Sequence, residues 1–405
     1  MKGRSLFNRN FMLDTGINFV VYLIYYLLMV IIAVVAKDQL KASLSEAGLA
    51  SGIYILGTLM ARLQLGKEIE LYGRKRTLYF GIFFYLITTL MYFYIPNLTM
   101  MYIIRFLNGM AYGVISTATN TIIANCIPEE RRGEGINYYG LSTSLAAAIG
   151  PFLGMLLMIV ANFTVIIVTC VVLIVLCVIG CFALDVKEIN LTAIQRKQMK
   201  KYTFDNYVES RVLIISVIGF LMGFAYSSVL SFLAAYTREI NLADAGTFFF
   251  VVYAVVITVT RPITGVIFDR KGENYVLYPC YVCLAVGLFL LSITHTSPIL
   301  LLAGVFVGLG YGTFMSNGQA VCIKLTPSHR VSVALSTYFV ALDFGLGVGP
   351  YILGSLHSTL TFQNLYVVAA CTAVICLILY YLLYGRRVGG QTRMAAQEDT
   401  LIDYE

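Results

Sequence analysis

The sequence predicts an all-α integral membrane protein with twelve transmembrane helices arranged as two pseudo-symmetric six-helix bundles. Three observations carry this: the composition, the spacing of apolar stretches, and a repeat that maps the second half onto the first. Of the 405 residues, 59% are hydrophobic and 12% charged, and mean hydropathy is +0.82. A water-soluble chain carries about 25% charged residues.

A spanning helix takes about 17 to 25 mostly apolar residues. Such stretches fall at 11–36, 45–66, 77–95, 99–126, 135–160 and 162–184, and again at 210–236, 243–267, 275–294, 298–324, 330–356 and 362–384. An even number puts both termini on one side. With the N-terminus inside, the inner segments hold 22 of the 28 Lys and Arg, whereas the outer loops hold only Lys37, Lys41 and Arg238. Basic residues are retained on the cytoplasmic side, so both termini are expected there, in a bacterial plasma membrane. MKGRSLFNRN leads straight into a full-length span, so no cleavable signal peptide is expected.

The repeat has a constant offset of 199. It takes Arg62 to Arg261, Gly66 to Gly265, Glu70 to Asp269, Gly73 to Gly272, Gly109 to Gly308, Tyr112 to Tyr311, Tyr139 to Tyr338 and Pro151 to Pro350. Six spans return the chain to its starting side, so the halves are parallel repeats about an axis along the membrane normal. The implied organisation is a first bundle at 1–184, an inner linker at 185–209, a second bundle at 210–385 and an inner tail at 386–405.

The stretch RLQLGKEIELYGRKRTL at 62–78 resembles the loop between helices 2 and 3 of the major facilitator superfamily, G-x-x-x-D-R-x-G-R-K. Glu70 stands for the acid and Leu71 for the usual Arg, while Gly66, Gly73, Arg74 and Lys75 are kept. The second copy, at 261–277, keeps Gly265, Asp269, Arg270 and Gly272 and replaces the basic pair with Glu273 and Asn274. Glycine permits the tight turn, and an acid near a helix N-terminus is favoured by about 0.3–1 kcal/mol. Together with Arg62 and Arg261 these residues are expected to latch the halves. The resemblance covers nearly the whole chain and implies the major facilitator fold.

AAAIGPFLG, with Gly150, Pro151 and Gly154, resembles the helix 5 signature G-x-x-x-G-P-x-x-G-G of the drug:proton antiporters in that superfamily. Ala146 and Met155 replace two glycines. Small residues four apart let helix backbones approach, and Pro is tolerated in lipid where neighbours satisfy the freed carbonyl. Gly345, Gly349 and Pro350 repeat the arrangement in span 11, so both are read as packing and hinge devices. The resemblance implies export.

Asp343 lies mid-span, about 20 Å from either surface at 1.5 Å per residue. An ionised carboxylate there costs at least about 2.5–3.5 kcal/mol, so it should face a cavity, pair with a cation, be protonated, or cap a helix break. With no obvious fixed counter-charge at its depth, it suggests proton carriage or a cationic substrate. Arg105, in MYIIRFLNGMAYG, resembles the R-x-x-x-G signature of helix 4, which implies proton transfer; snorkelling to the headgroups is the alternative. Asp14 is the acid of span 1, explained either by coupling or by favourable placement at the helix N-terminus.

A cavity for amphipathic molecules combines aromatic faces with few polar anchors. Asn18, Tyr25, Asn108, Tyr112, Tyr226, Asn317, Gln319 and Tyr338 are the candidates. The three histidines fall at span ends and Cys280/Cys283 sit in an apolar span, so neither a metal nor a cofactor is expected. There is no GxxxxGK[ST] loop, no catalytic constellation and no basic cluster suited to nucleic acid. The expected partners are therefore a small-molecule substrate, protons and the bilayer, and the resemblance suggests a monomer. The sequence reads as a proton-coupled exporter of amphipathic drugs or metabolites working by alternating access. A dedicated exporter of one metabolite such as a metal chelator, an uptake symporter, and a nontransporting sensor or scaffold remain as alternatives.

Overall fold

The computed structural model describes residues 6–42, 44–186, 188, 203, 206–357 and 360–386. Over these residues the chain forms long helices without strands. The first half holds α1 (Arg9–Leu40), α2 (Leu44–Tyr72), α3 (Arg74–Leu90), α4 (Leu98–Cys126), α5 (Arg132–Val160) and α6 (Phe163–Ala183). The second holds α7 (Leu213–Glu239), α8 (Ala243–Lys271), α9 (Asn274–Ser292), α10 (Ser297–Leu325), α11 (Val331–His357) and α12 (Phe362–Tyr380). Among the described residues ten helices are long and apolar enough to cross a membrane by length and composition. The other two, α2 and α5, have 29 residues each and are packed into the bundles. Most of the expected linker at 185–209 and nearly all of the tail at 386–405 lie outside the described residues.

Helix starts follow the capping residues. Asn8, Asn97 and Asn162 accept from the backbone N–H three residues on, opening α1, α4 and α6. The basic segment at 67–76, expected as a loop, is almost wholly helical: only Gly73 separates α2 from α3, at φ +99°. Its repeat Gly272, at φ +91°, ends α8. A side chain at either position would be strained, which is why the turn can be so short. In α10 the α-helix is interrupted by a π-helical turn at Gly308–Gly312.

Within each half small residues bring backbones together. A Cβ on Gly109 would stand 2.1 Å from the Tyr54 carbonyl oxygen, seating α4 on α2. A Cβ on Gly345 would stand 2.1 Å from that of Phe220, seating α11 on α7. Val172, Leu176 and Ile179 on α6 are exposed apolar side chains, as a lipid-facing surface requires. The halves meet along α2 against α11 and α5 against α8. The membrane end that carries the α2–α3 and α8–α9 turns is called the basic end below.

Candidate functional site

At mid-depth the halves are joined by an ion pair. Arg62 Nη1 on α2 donates to Asp343 Oδ2 on α11 at 2.6 Å, and Nη2 reaches Ser116 Oγ at 3.3 Å. The guanidinium also lies over the Phe339 ring, 5.1 Å from its centroid. Asp343 therefore does have a fixed counter-charge, which corrects the expectation of a lone acid. Arg62, expected with the basic latch, sits about 15 Å inside it, ten residues from the end of α2.

Tyrosines from both halves surround this pair. Tyr25 stacks on Tyr112 at 4.9 Å and packs against Tyr26 and Tyr54. Opposite them, Tyr226 stacks on Tyr311 at 4.0 Å and on Tyr253 at 5.6 Å. Offset and stacked rings bury large area while their hydroxyls remain available as polar handles.

Between this level and the basic end the halves are sealed. Gln319 donates to Asn120 at 2.9 Å. These residues are separated by the repeat length itself, so their contact marks the pseudo-twofold axis. Asn317 bonds Asn137 at 3.0 Å, Ser336 Oγ bonds the Arg62 carbonyl, and Arg261 donates to the Gly140 carbonyl of α5. Nearest the end, Asp269 accepts from the backbone N–H of Gly133 at 2.7 Å and of Glu134 at 2.8 Å, capping α5 from the other half. Gly265 and Gly66 lie where a Cβ would strike Glu134 and Ser336, so these seams close on bare backbone.

The ion pairs and hydrogen bonds of the remaining latch residues are more local. Glu70 pairs with Arg74 at 2.5 Å, whereas Asp269 binds backbone of the opposite half. Lys75 Nζ donates to the Leu184 carbonyl at 2.6 Å, and exposed Arg270 has no ion pair among the described residues. Arg131 forks onto Glu134 with two 2.7 Å bonds, which raises its pKa through the hydrogen bonds to that carboxylate.

Several cavity candidates turn out to be packing residues. Asn108 donates to Thr88 and Thr89 on α3 and so faces away from the interface. Tyr338 is fully buried with its hydroxyl on the Met315 carbonyl at 3.1 Å, inside the second half. Asn18 ties α1 to Ser142 and Thr143 of α5 and to Thr119 of α4. Arg105 does not snorkel: it is fully buried, bonds the Ala50 carbonyl at 2.9 Å and lies 4.4 Å from the Tyr54 ring centroid. Asp14 lies beyond the first turn of α1, which Asn8 caps, so helix-end placement does not account for it. It is fully buried, and among the described residues neither carboxylate oxygen meets a donor.

The glycines of the helix 5 signature pack within the first half: Gly150 faces Tyr26 and the Leu23 carbonyl, and Gly154 the Leu27 carbonyl. Gly349 faces Ser227 in the same way. Pro151 and Pro350 lie inside the unbroken helices α5 and α11.

Other contacts gave no signal in the sequence. Glu188 accepts from the backbone N–H of Arg74 and Lys75 at 2.8 and 2.9 Å, capping α3 from the segment after α6. Glu273 binds Lys324 at 2.8 Å, and Glu209 binds Arg330. Asn137, unremarked in the sequence, is a seam residue. Among the described residues no three His, Cys, Asp or Glu side chains form a metal-binding group.

The family model for the Major Facilitator Superfamily matches residues 15–312 and 215–401. An MFS-type transporter of Methanocaldococcus jannaschii is 23% identical over 369 residues, 88% of this chain and 93% of that one. The multi-drug resistance efflux pump PmrA of Streptococcus pneumoniae is 22% identical, covering 82% and 84%. The staphylopine export protein of Staphylococcus aureus is 19% identical, covering 85% and 88%. Among solved structures, the transporter FucP in its outward conformation superposes with a TM-score of 0.75 at 15% identity, covering 93% of this chain and 98% of that one. A bacterial homologue of the iron transporter ferroportin, outward-facing, also gives 0.75 at 15% identity, covering 92% and 98%.

Proposed function

Since this chain belongs to the Major Facilitator Superfamily, we propose that it is a proton-coupled exporter of amphipathic small molecules. The observation that carries the reading is the Arg62–Asp343 pair, which crosses between the halves at mid-depth within a ring of tyrosines. Protonating Asp343 removes one charge of the pair and with it the attraction that holds α2 to α11. Proton binding and separation of the halves thereby become one event.

The basic end faces the cytoplasm, with both termini, because basic loops are retained there. The sealed contacts lie at that end, so this is the form closed to the cytoplasm. Substrate loads from the cytoplasm or inner leaflet when the seams part, and leaves outward when they close. Asp14, buried on α1 without a donor among the described residues, is a second acid for proton carriage. The protein works as a monomer, with protons and substrate as its partners. Similarity to PmrA and to the staphylopine export protein supports export, and the second of these keeps a single dedicated metabolite as the rival substrate.

The test is accumulation of fluorescent amphipaths of both charge signs in bacteria lacking their own efflux pumps. Wild type, Asp343→Asn and empty vector are compared at matched expression, with and without a protonophore. Lower accumulation with wild type alone, abolished by the protonophore, is the expected result. Lower accumulation that survives Asp343→Asn or the protonophore removes proton coupling. Higher accumulation with wild type reverses the direction to uptake.

A further inference from the structure

The duplication leaves one arginine neutralised and its repeat uncompensated. Arg62 and Arg261 are equivalent by the offset of 199, and the position equivalent to Asp343 is Ser144 on α5. Ser144 carries no charge, and its hydroxyl turns to the Gly140 carbonyl at 3.5 Å. Arg261 is only 3% exposed, and its guanidinium donates to the carbonyls of Gly140 and Gly312. Among the described residues no carboxylate pairs with it: Asp343 is held by Arg62, Glu70 by Arg74, and Asp269 by the α5 amides. A buried guanidinium served only by neutral carbonyls is costly, and an anion in fork geometry removes that cost.

Arg261 borders free space between the halves, lining a small cavity there with Asn120, Gln319, Ser316 and Tyr22. The phenols of Tyr26, Tyr253 and Tyr311 lie within electrostatic reach. The Gly140 carbonyl comes from the opposite half, so parting of the α5–α8 seam takes this acceptor away and leaves the guanidinium open to the basic end.

We propose that Arg261 is the substrate anchor and that the substrate is an aromatic or amphipathic anion, bearing a carboxylate or sulfonate. The acid group binds when the basic end is open and is displaced by the Gly140 carbonyl when the seam closes, so that closing expels the substrate from its anchor. This rests on the transport reading above and names the substrate class of that site. It also replaces the expected cationic substrate, because the acid that suggested one is already neutralised.

The experiment follows thermal unfolding of the purified full chain with four naphthalene probes, carrying a carboxylate, a sulfonate, a carboxamide or a quaternary ammonium. Carboxylate and sulfonate should protect at concentrations at least about tenfold lower than the other two. Arg261→Gln should abolish that preference, and Arg261→Lys should keep part of it, as a point charge without the fork. Unliganded unfolding midpoints report whether each variant is folded, and Arg261→Lys carries the test if the Gln variant is not. Equal protection by all four, preference for the ammonium, or no protection overturns the proposal. A preference unchanged in both variants makes Arg261 a gate only. Gradient-driven movement of the best-protecting probe in inside-out vesicles separates the two readings. An ammonium probe that is exported leaves transport standing and the anchor refuted, whereas an anion that protects but does not move does the reverse.

Discussion

Arg62 Nη1 lies 2.6 Å from Asp343 Oδ2, and this one contact joins helices whose contributing residues are 281 positions apart. Breaking a buried pair by removing one partner costs about 3–5 kcal/mol, less here because the Asp343 side chain is 22% exposed. Asp343→Asn is predicted to lower gradient-driven transport at least about tenfold, since a tenfold change corresponds to about 1.4 kcal/mol of lost coupling. The charge-swapped double variant, Arg62→Asp with Asp343→Arg, should recover stability above either single variant in thermal unfolding. A double variant no better than the singles would show that the pair itself does not hold the halves.

Asp269 caps α5 across the seam with two backbone bonds. Removing a cap costs about 0.5–2 kcal/mol, so Asp269→Ala should raise the population open at the basic end by about twofold to thirtyfold. Pulsed-EPR distances between labels at Arg132 and Lys271, in a cysteine-free background, read that population. A distribution identical to wild type would mean that the cap does not set the equilibrium.

Gly345 packs its Cα against the Phe220 carbonyl, with no room for a side chain. Gly345→Val must push α11 away from α7 and is predicted to be destabilising by about 1–3 kcal/mol or more, as overpacking generally is. Fluorescence-detected size exclusion should show loss of the folded peak or a lowered unfolding midpoint. Gly347 on the same helix faces open space, and Gly347→Val serves as the matched control with no such loss.

His329, in the turn before α11, has its pKa lowered from 6.5 by burial and by the nearby charges of Arg330 and Arg211. The folded state therefore binds fewer protons than the unfolded state just below that value, and stability rises with pH across the window. Folding is predicted to weaken as pH falls through about 6.5, and His329→Gln should flatten that slope between about pH 5 and pH 7. The effect is small because the ring is only partly buried, and parallel slopes in the two proteins would remove His329 from the account.

The architecture was legible because membrane insertion and gene duplication leave long-range regularities in a sequence. Apolar stretches of spanning length recur, and Arg62 finds Arg261 at a fixed offset. The site was less legible because it depends on how helices are rotated and which of them meet. Asn108 lies on the same helix as Tyr112, yet it points to α3 while Tyr112 joins the tyrosine ring. The depth of Asp343 is plain in the sequence, but its partner is in the other half, and no periodicity relates α2 to α11. Glu70 and Asp269 are equivalent by repeat and behave differently, because Arg74 is retained beside the first and Glu273 has replaced it beside the second.

The π-helical turn in α10 has a mechanical consequence. It holds one residue more per hydrogen-bonded ring than an α turn, and each residue of an α-helix corresponds to about 100° of rotation. Rewinding Gly308–Gly312 into α form would twist everything after it by about that angle. Asn317 and Gln319, which clasp Asn137 and Asn120, both lie on that downstream segment. A local change of winding around Tyr311 would therefore turn two clasps off the axis at once, without any bending of the helix.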